Sequence, residues 1–597
     1  MLSSQISQFF RQLPAGRRAV ALVWKAAGGW TSAWVALLVC QGLVPAGLAL
    51  MLRTLVNRLV GSPSWHAIVP PAAGIAALWV VAQLLSSALS WVRAVQAEKV
   101  QDQVHRLIHT QALSLDLAFY DHPDSYDILY RAQVDAVAQP LALLENLGSV
   151  VQNGLGFLAL AGILFTYAAW LPLLLVLSAI PGLLLVARHI LKEHLWHVDH
   201  THQERRAQYL DSLMTDASSA AELRLFDLGG FHLKAFERLR HDLREGKLRL
   251  VREGALTELG AGLLAWAGSL AGLGWMLDQN LAGHARLGDL LLCLQAFQQG
   301  QAQLRSLLEG AGKIYKSLLF VENLEDFLAM KPAILAGRSE SLRLPIRRSI
   351  RFERVSFTYP GSSHRALDDF NLEIPERQVV ALVGSNGAGK STLIKLLCRF
   401  YDPDEGRVLL DGVELRELDP KALRSRMTVL FQQPVRYHVT ASENIAFGDI
   451  HRPWESGEVL AAARSAGALE PIERLSHGFE TLLGKWLGGE ELSVGEWQRI
   501  ALARAFFRQA PLVILDEPTS AMDSWAEQDW LSRFRTLVEG RTALMITHRF
   551  TTAMYADIIH VMDRGRIVES GTHEQLIAIG GSYAESWSAQ MQEVARA

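Results

Sequence analysis

The sequence predicts a multidomain protein in which an all-α polytopic membrane domain is followed by an α/β domain. Several uncharged, apolar runs in the first half exceed the ~20 residues that a helix needs to cross the hydrocarbon core of a bilayer. From Ile350 onward, short β-type runs alternate with helical ones, which is the pattern of an α/β domain. A glycine-rich turn at 384–391 lies between such a run and the start of a helix.

The composition fits this division and disfavours other classes of protein. The chain has 597 residues, 50% of them hydrophobic, and a net charge of −3, so nothing indicates a nucleic acid or another polyanion as partner. The three cysteines, Cys40, Cys293 and Cys398, fit neither a metal-binding spacing nor a disulfide framework. The N-terminal segment does not read as a secretory signal, and we expect an amphipathic helix on the membrane surface there.

Six transmembrane helices are predicted, with spans near 30–53, 67–92, 146–168, 171–188, 259–277 and 287–305. The third and fourth come from one uncharged run, 146–187, whose midpoint at Trp170-Leu171-Pro172 suits a tight hairpin. The sixth is the least apolar, because it contains the glutamines Gln295, Gln298, Gln299, Gln301 and Gln303. Such glutamines can contact a polar, uncharged substrate or hydrogen-bond to neighbouring helices, and the sequence favours neither.

The distribution of Lys and Arg predicts that both chain ends are cytoplasmic. Twelve of these residues fall in the connection 188–258, whereas three fall in the predicted outer loops. This connection and 93–144 are long and helical in pattern, so they should carry helices well beyond the membrane surface. Each is interrupted by a turn-like patch, at 120–126 and at 226–231, and these patches are candidate contacts with the C-terminal half.

The turn Gly384-Ser385-Asn386-Gly387-Ala388-Gly389-Lys390-Ser391 has the context that a phosphate-binding loop requires, because an apolar run precedes it and a helix follows. Glycines let backbone N–H groups approach phosphate oxygens, and the helix N-terminus adds a partial positive charge. Lys390 would reach the β- and γ-phosphates of a nucleotide, and the hydroxyl of Ser391 would ligate Mg²⁺. A glycine-rich turn without a ligand is the alternative, and the flanking elements disfavour it. We therefore expect the α/β domain to be of the P-loop NTPase class.

A pair of carboxylates ends the buried run 512–515. Asp516, at the tip of the predicted strand, can hold Mg²⁺. Glu517, one residue further on, can polarise the water that attacks a γ-phosphate. Acidic residues also end strands by chance, so this pair gains its meaning from lying downstream of the phosphate-binding loop.

Three further candidate sites lie after the phosphate-binding loop in the chain. Gln432 comes directly after a short predicted strand, and His548 follows another, where a neutral imidazole could hydrogen-bond a γ-phosphate. Ser493 and Gly495 open a helix, which gives a second N-terminus suited to anions. Taken singly, Gln432 and His548 are more often ordinary polar residues; their order and spacing favour the catalytic interpretation.

With these motifs in view, the chain resembles ATP-binding cassette (ABC) exporters over nearly its whole length. Residues 1–340 resemble the six-helix membrane domain, and residues 348–597 resemble the nucleotide-binding domain, with a linker near 331–347. The patches near 121–127 and 226–231 resemble the coupling helices of that family.

The resemblance implies ATP and Mg²⁺ as cofactors and assigns roles to individual residues. Tyr359 would stack on adenine, Gln432 would sense Mg²⁺ and the γ-phosphate, and Asp523 resembles a residue of the loop that links the two active sites. The predicted catalytic residues are Glu517, His548, Lys390 and Gln432; the predicted nucleotide-binding residues are Tyr359, Gly384, Ser385, Asn386, Gly387, Ala388, Gly389, Lys390, Ser391, Thr392, Ser493 and Gly495; the predicted metal ligands are Ser391, Gln432 and Asp516.

One motif departs from the family pattern. The signature usually reads Leu-Ser-Gly-Gly-Gln, and here Val494 and Glu496 replace its first glycine and its glutamine. Ser493 and Gly495 are retained. A glutamate near ATP adds repulsion, so we expect a weaker but functional half-site.

The resemblance further implies ATP-driven export of an amphipathic small molecule, peptide or lipid by alternating access in a dimer. A homodimer is favoured because Glu517 and His548 are both present, and a heterodimer with a related half-transporter stays open. An importer on the same fold, an ATP-gated channel or a regulatory membrane ATPase are the alternatives. The expected location is the bacterial inner membrane, with the nucleotide-binding domain in the cytoplasm and no nucleic-acid partner.

Overall fold

The computed structural model describes residues 2–61, 64–217, 219–334, 337, 348–517 and 524–596. The chain divides into two compact units. The first comprises Met1–Leu113 and Asp127–Met330, and the second comprises Ser114–Tyr126 and Lys331–Ala597.

The N-terminal part of the chain is helical. Its helices are α1 (Leu2–Gly61), α2 (Trp65–Ser114), α3 (Leu117–Asp121), α4 (Pro123–Phe165), α5 (Trp170–Thr215), α6 (Ala220–Leu225), α7 (Gly229–Leu281) and α8 (Leu287–Ala329). Within the described residues, six of these are 43 residues or longer. At 1.5 Å per residue such a helix is about 65 Å long, roughly twice the hydrocarbon thickness. The helices therefore extend well beyond a bilayer, as predicted.

Among the described residues, four helices are long and apolar enough to cross a membrane: Arg17–Gly61, Trp65–Ser114, Ala142–Phe165 and Gly229–Leu281. The apolar start of α5, Trp170–Gly182, is shorter, and α8 carries the glutamines. The predicted N-terminal helix and the first span both belong to α1, and a kink at Ala27 divides them.

The hairpin between the third and fourth predicted spans lies at 166–169, slightly before the predicted position. Trp170 begins α5, so Pro172 falls in the first helical turn. The first N–H groups of a helix have no intrahelical partner, and a proline there removes no hydrogen bond. The proline thus marks the start of α5 instead of the turn.

Small residues set the packing of the first unit. A Cβ on Gly268 of α7 would clash with Ser178 of α5, and a Cβ on Gly300 of α8 would meet Leu175 of α5 at 2.8 Å. Close approach at small residues is the usual means of helix association in a membrane, where hydrophobicity alone gives little preference for helix over lipid.

At the N-terminus of α8, a buried carboxylate links this helix to α1 and to the hairpin between α4 and α5. Asp289 accepts hydrogen bonds from Arg53 of α1, from the Tyr167 hydroxyl at 2.8 Å and from the Arg286 backbone N–H at 2.8 Å. Asn57 accepts a further bond from the Gly288 N–H at 2.8 Å. This ion pair is not evident from the sequence, since Arg53 and Asp289 are far apart in the chain.

The second unit is an α/β fold with two sheets. Its strands are β1 (Ser349–Thr358), β2 (Arg365–Pro375), β3 (Val379–Gly384), β4 (Glu405–Leu410), β5 (Val413–Glu414), β6 (Met427–Leu430), β7 (Leu512–Asp516), β8 (Thr542–Ile546), β9 (Ile558–Asp563) and β10 (Arg566–Gly571). Its helices are α9 (Lys390–Leu397), α10 (Pro420–Arg424), α11 (Ala441–Ala446), α12 (Ser456–Ser465), α13 (Leu469–Glu473), α14 (Val494–Arg508), α15 (Ser524–Val538), α16 (Phe550–Ala553), α17 (His573–Ile579) and α18 (Ser582–Arg596).

The larger sheet has the strand order β10-β9-β3-β8-β7-β6, and every pair in it is parallel except β10 with β9. The smaller sheet, β2-β1-β4-β5, is antiparallel. Alternate residues of β3 enter two different hydrophobic cores: Ala381 and Val383 one, Val380 and Leu382 the other. Burial on both faces explains why this strand is a continuous apolar run in the sequence.

The segment Ser114–Tyr126 belongs to the second unit by its contacts. Leu117 packs against the core that contains Tyr401, and Asp121 accepts a hydrogen bond from the Tyr401 hydroxyl and another from Lys395 at 3.3 Å. The turn-like patches were predicted at 120–126 and 226–231. The chain does turn at both patches: α3 ends at Asp121, inside the first, and α6 ends at Leu225, directly before the second.

Candidate ATP-hydrolysis site

The predicted catalytic residues lie at one edge of the larger sheet. The phosphate-binding loop follows β3, and Gln432, Asp516, Glu517 and His548 lie at or just beyond the carboxyl ends of β6, β7 and β8. Because these four strands are parallel neighbours, their carboxyl ends meet at the same edge. The topology brings together residues that are more than a hundred positions apart in the sequence.

The backbone of the phosphate-binding loop needs glycine at particular positions. Gly389, which precedes α9, has a φ of 99°, and a Cβ there would clash with the carbonyl oxygen of Ala366. Gly384 has a φ of 152°, and a Cβ there would clash with the carbonyl oxygen of Met562. Residues with a side chain rarely adopt such angles. These glycines therefore shape the cradle that Ser385, Asn386, Gly387 and Ala388 complete.

Lys390 lies folded into this loop. Its Nζ donates hydrogen bonds to the carbonyl oxygens of Gly384 at 2.7 Å and Ser385 at 2.8 Å, and the residue is only 6% exposed. Burial lowers the pKa of Lys390 below its ordinary value, and the charges of Glu517 and Asp516 oppose that shift. A buried ammonium held by neutral carbonyls would gain by pairing with phosphate oxygens.

Ser391 and Asp516 offer oxygen ligands for a hard cation. The Ser391 hydroxyl donates to Oδ1 of Asp516 at 3.4 Å. Burial raises the pKa of Asp516, the charge of Glu517 raises it further, and Ser391 and Lys390 oppose the shift. A desolvated carboxylate next to a second one is stabilised by a divalent cation, so the donors fit Mg²⁺. Gln432 uses its amide nitrogen elsewhere, which leaves its amide oxygen for the same ion.

Glu517 is held by two other predicted residues. The Gln432 amide donates to Oε2 of Glu517 at 2.9 Å, and Nδ1 of His548 lies 3.5 Å from the same oxygen. Glu517 itself has a φ of 48°, and its backbone N–H donates to Ile546 at 2.9 Å. A left-handed glutamate is strained, and such strain concentrates at functional sites. The conformation turns the chain sharply after β7, so Glu517 departs from the strand direction.

The comparisons with known proteins agree with this geometry. The model of the ABC transporter family matches residues 367–520. The subtilin transport ATP-binding protein of Bacillus subtilis is 32% identical over 471 residues, which cover 78% of this chain and 76% of that protein. This chain belongs to the ABC transporter family.

Two further comparisons extend this family assignment. The ATP-dependent lipid A-core flippase of Aromatoleum aromaticum is 33% identical to this ABC transporter over 501 residues, which cover 82% of this chain and 80% of the flippase. A solved structure of a bacterial Atm1-family ABC exporter with ATP bound superposes with a TM-score of 0.80. The superposition covers 95% of this chain and 99% of the exporter's chain. At 23% identity, this likeness shows the fold.

The predicted fold and activity are thereby confirmed. This ABC transporter is an integral protein of the bacterial inner membrane, with a helical membrane domain fused to a cytoplasmic nucleotide-binding domain. It is an ATPase of the translocase type that drives export. The individual site residues stay predictions, and the geometry of each follows from the structure alone.

Tyr359, predicted to stack on adenine, lies beside the phosphate-binding loop of this transporter. Its hydroxyl and the Thr392 hydroxyl are 3.1 Å apart, and Nζ of Lys395 lies 4.9 Å from the centre of its ring. Tyr401 meets the ring edge-on, with a centroid distance of 5.5 Å. The motifs in the sequence did not indicate Lys395 and Tyr401 as neighbours of Tyr359, although a lysine and a tyrosine can be read at these positions.

Ser493 and Gly495 lie at the start of α14, on a separate part of the cassette. An open cleft of about 240 Å³ begins there, and its lining contains no residue of the 384–392 loop among those described. A Cβ on Gly495 would meet nothing within 4 Å, so this glycine faces open space. Asp523 lies outside the described residues. The predicted residues thus fall into two sets, and the cleft at the start of α14 does not include the phosphate-binding loop.

Proposed function

We propose that this exporter works as a homodimer that hydrolyses Mg²⁺-ATP at two shared sites. In each site, the loop 384–392 of one copy would hold the nucleotide, and Ser493 and Gly495 of the other copy would cover its γ-phosphate. The separation of the two residue sets within one chain supports this division of labour. The convergence of Lys390, Asp516 and Glu517 at one sheet edge is the single observation that carries the proposal.

Each residue in the set has a chemical role in this proposal. Lys390 would leave the loop carbonyls and pair with the β- and γ-phosphates. Glu517, positioned by Gln432, would orient the attacking water and accept its proton, while His548 would hydrogen-bond the γ-phosphate. Mg²⁺, held by Ser391, Asp516 and Gln432, would neutralise charge that develops on the phosphate oxygens. Tyr359 would contact adenine through the ring face that Lys395 does not cover.

The proposed cargo is an amphipathic small molecule, peptide or lipid. Gln301 bonds within the helix bundle: its amide donates to the Ser178 hydroxyl at 3.0 Å and to the carbonyl oxygen of Ala265 at 2.8 Å. The buried side-chain oxygens of Gln295, Gln299 and Gln303 have no hydrogen-bond partner within the described part of the chain. Unpaired acceptors on an otherwise apolar helix match a cargo that combines hydrogen-bond donors with apolar surface. The relatives named above are a subtilin transport protein and a lipid A-core flippase.

ATP binding would favour the closed pair of cassettes, and hydrolysis would release it, because the open and closed states bind nucleotide differently. The membrane domain proposed at 1–340 would follow this cycle through the segments near 121–127 and 226–231. The cassette, proposed at 348–597, would supply the free energy.

Purification of this chain alone tests the homodimer. We expect Mg²⁺-dependent ATPase activity that chelation with EDTA abolishes. The Glu517→Gln variant with ATP should trap a dimer whose light-scattering mass is twice that of one chain. ATPase activity that appears only after a second, related subunit is added would indicate a heterodimer instead.

A further inference from the structure

The signature helix α14 begins with a carboxylate where the family pattern has an amide. Glu496 forms a reciprocal capping box with Ser493: Oε2 of Glu496 accepts from the Ser493 N–H at 2.8 Å, and Oγ of Ser493 accepts from the Glu496 N–H at 3.3 Å. The other carboxylate oxygen, Oε1, accepts from the Arg474 guanidinium at 2.8 Å. Both oxygens are therefore engaged.

This arrangement leaves the signature with free donors. A hydroxyl has one hydrogen to donate, and since Oγ of Ser493 acts as acceptor toward Glu496, its own hydrogen can point to an anion. Gly495 has no side chain to block that approach. The helix N-terminus adds a partial positive charge along the same direction.

The charge of Glu496 is balanced locally. Burial alone would raise the pKa of its carboxyl, but the hydrogen bonds from Ser493 and the charges of Arg474 and Arg499 hold that pKa below its usual value. Arg474 ends the short helix α13, and its side chain is 62% exposed, whereas that of Glu496 is 23% exposed. An exposed ion pair contributes little to stability. The Arg474–Glu496 ion pair matters instead because it changes the electrostatic potential at the position of a bound triphosphate.

We propose that Arg474 is a positioning residue for ATP hydrolysis. It neutralises Glu496 and fixes the carboxylate in the capping box, so that Ser493 and Gly495 present donors to the γ-phosphate held by the partner copy. This inference rests on the proposed shared site. It accounts for the tolerance of a glutamate in the signature, which on residue type alone would repel ATP.

Charge rescue tests this inference on the full-length protein in detergent or nanodiscs. Arg474→Ala should lower kcat for ATP by an amount on the order of tenfold, because the carboxylate facing the triphosphate then lacks its hydrogen-bonded counter-charge. Arg474→Lys should retain most activity. The double variant Arg474→Ala/Glu496→Gln should recover most of the lost kcat, since it removes the charge that Arg474 balances.

Arg407→Ala is the matched control. Arg407 forms an equally exposed ion pair with Glu353 at 2.8 Å, on a strand that carries no site residue, so its loss should leave kcat unchanged. The melting temperature should stay within a few degrees of wild type in all variants, and the affinity of a fluorescent ATP analogue for the Lys390 loop should not change.

Two results would overturn the positioning role. One is a kcat for Arg474→Ala that equals that of Arg407→Ala. The other is a loss in Arg474→Ala that Glu496→Gln does not recover. Failure of the proposed function looks different, because the wild-type chain alone would then show no Mg²⁺-dependent ATPase activity at all.

Discussion

Two helix N-termini of the cassette are suited to anions in different ways. That of α9 follows a glycine turn and uses a buried cation, Lys390. That of α14 carries a carboxylate, Glu496, which an exposed arginine balances. A substitution in the strained turn around a buried charge should affect both nucleotide binding and stability, whereas loss of an exposed ion pair should not affect stability. Substitutions at the two helix ends should therefore have different effects. Those at the start of α9 should reduce nucleotide binding and stability, and those at the start of α14 should reduce turnover alone.

The largest effect should come from Glu517→Gln, next to the α9 end. The amide can still meet Gln432 but cannot take a proton from water, so kcat should fall at least about a hundredfold. ATP binding should persist. Steady-state ATPase kinetics and analogue binding measure both, with Glu539→Gln, an exposed glutamate of the same unit, as control. A kcat within tenfold of wild type would contradict the assignment.

A matched pair of alanines sharpens the contrast between the two ends. Gly389→Ala places a Cβ at positive φ against Ala366, so the free energy of unfolding should drop by about 1–3 kcal/mol and ATP binding should be lost. Gly495→Ala meets open space within a helix, so it should leave the melting temperature unchanged or slightly higher while it slows hydrolysis. Thermal unfolding with and without ATP distinguishes them. Equal destabilisation by both substitutions would break the comparison.

A third helix start in the membrane domain repeats the arginine-balanced carboxylate. Asp289 caps α8 and pairs with Arg53, as Glu496 caps α14 and pairs with Arg474. The Asp289 side chain is only 7% exposed and Asn can replace only part of its hydrogen bonding, so Asp289→Asn should cost about 1–3 kcal/mol of stability. Asp278→Asn, at an exposed position of α7, is the control. Thermal unfolding of the detergent-solubilised protein should show the larger loss for Asp289→Asn, and a reversed order would contradict the burial argument.

The smallest effect concerns pH. The pKa of Asp516 is higher in the folded chain than its ordinary value of 3.8, so the folded state binds the proton more tightly. Stability without nucleotide should thus fall as pH rises through the raised pKa, and the penalty is complete at neutral pH. Asp516→Asn should raise the melting temperature at pH 7 but not below about pH 4. A lower melting temperature at pH 7 would contradict this.

The sequence was sufficient where the chemistry is local. The loop around Lys390, the end of β7 and the start of α14 each depend on a few adjacent residues, and their order along the chain identified the family. The partners that tune these residues come from distant segments. Lys395 over Tyr359, Arg474 beside Glu496 and Arg53 beside Asp289 are products of tertiary packing, which no spacing rule reveals.

Backbone conformation set the other limit. The left-handed φ of Glu517 and the break at Ala27 depend on how neighbouring elements constrain the chain, and neither residue type demands them. Similarly, α3 ends at Asp121, inside the first turn-like patch, because Pro123 begins the next helix, and Leu117 packs against the core of the second unit.

The most direct test measures ATP hydrolysis and cargo movement in the same sealed proteoliposomes, with the cassettes facing outward and a fluorescently labelled short-chain phospholipid as probe. We predict ATP-dependent accumulation of the probe on the lumenal side by the wild-type protein and none by Glu517→Gln. Prolonged passive flux in Glu517→Gln would indicate a gated channel. Movement toward the cassette side would indicate an importer, and uphill transport by Glu517→Gln would contradict the account as a whole.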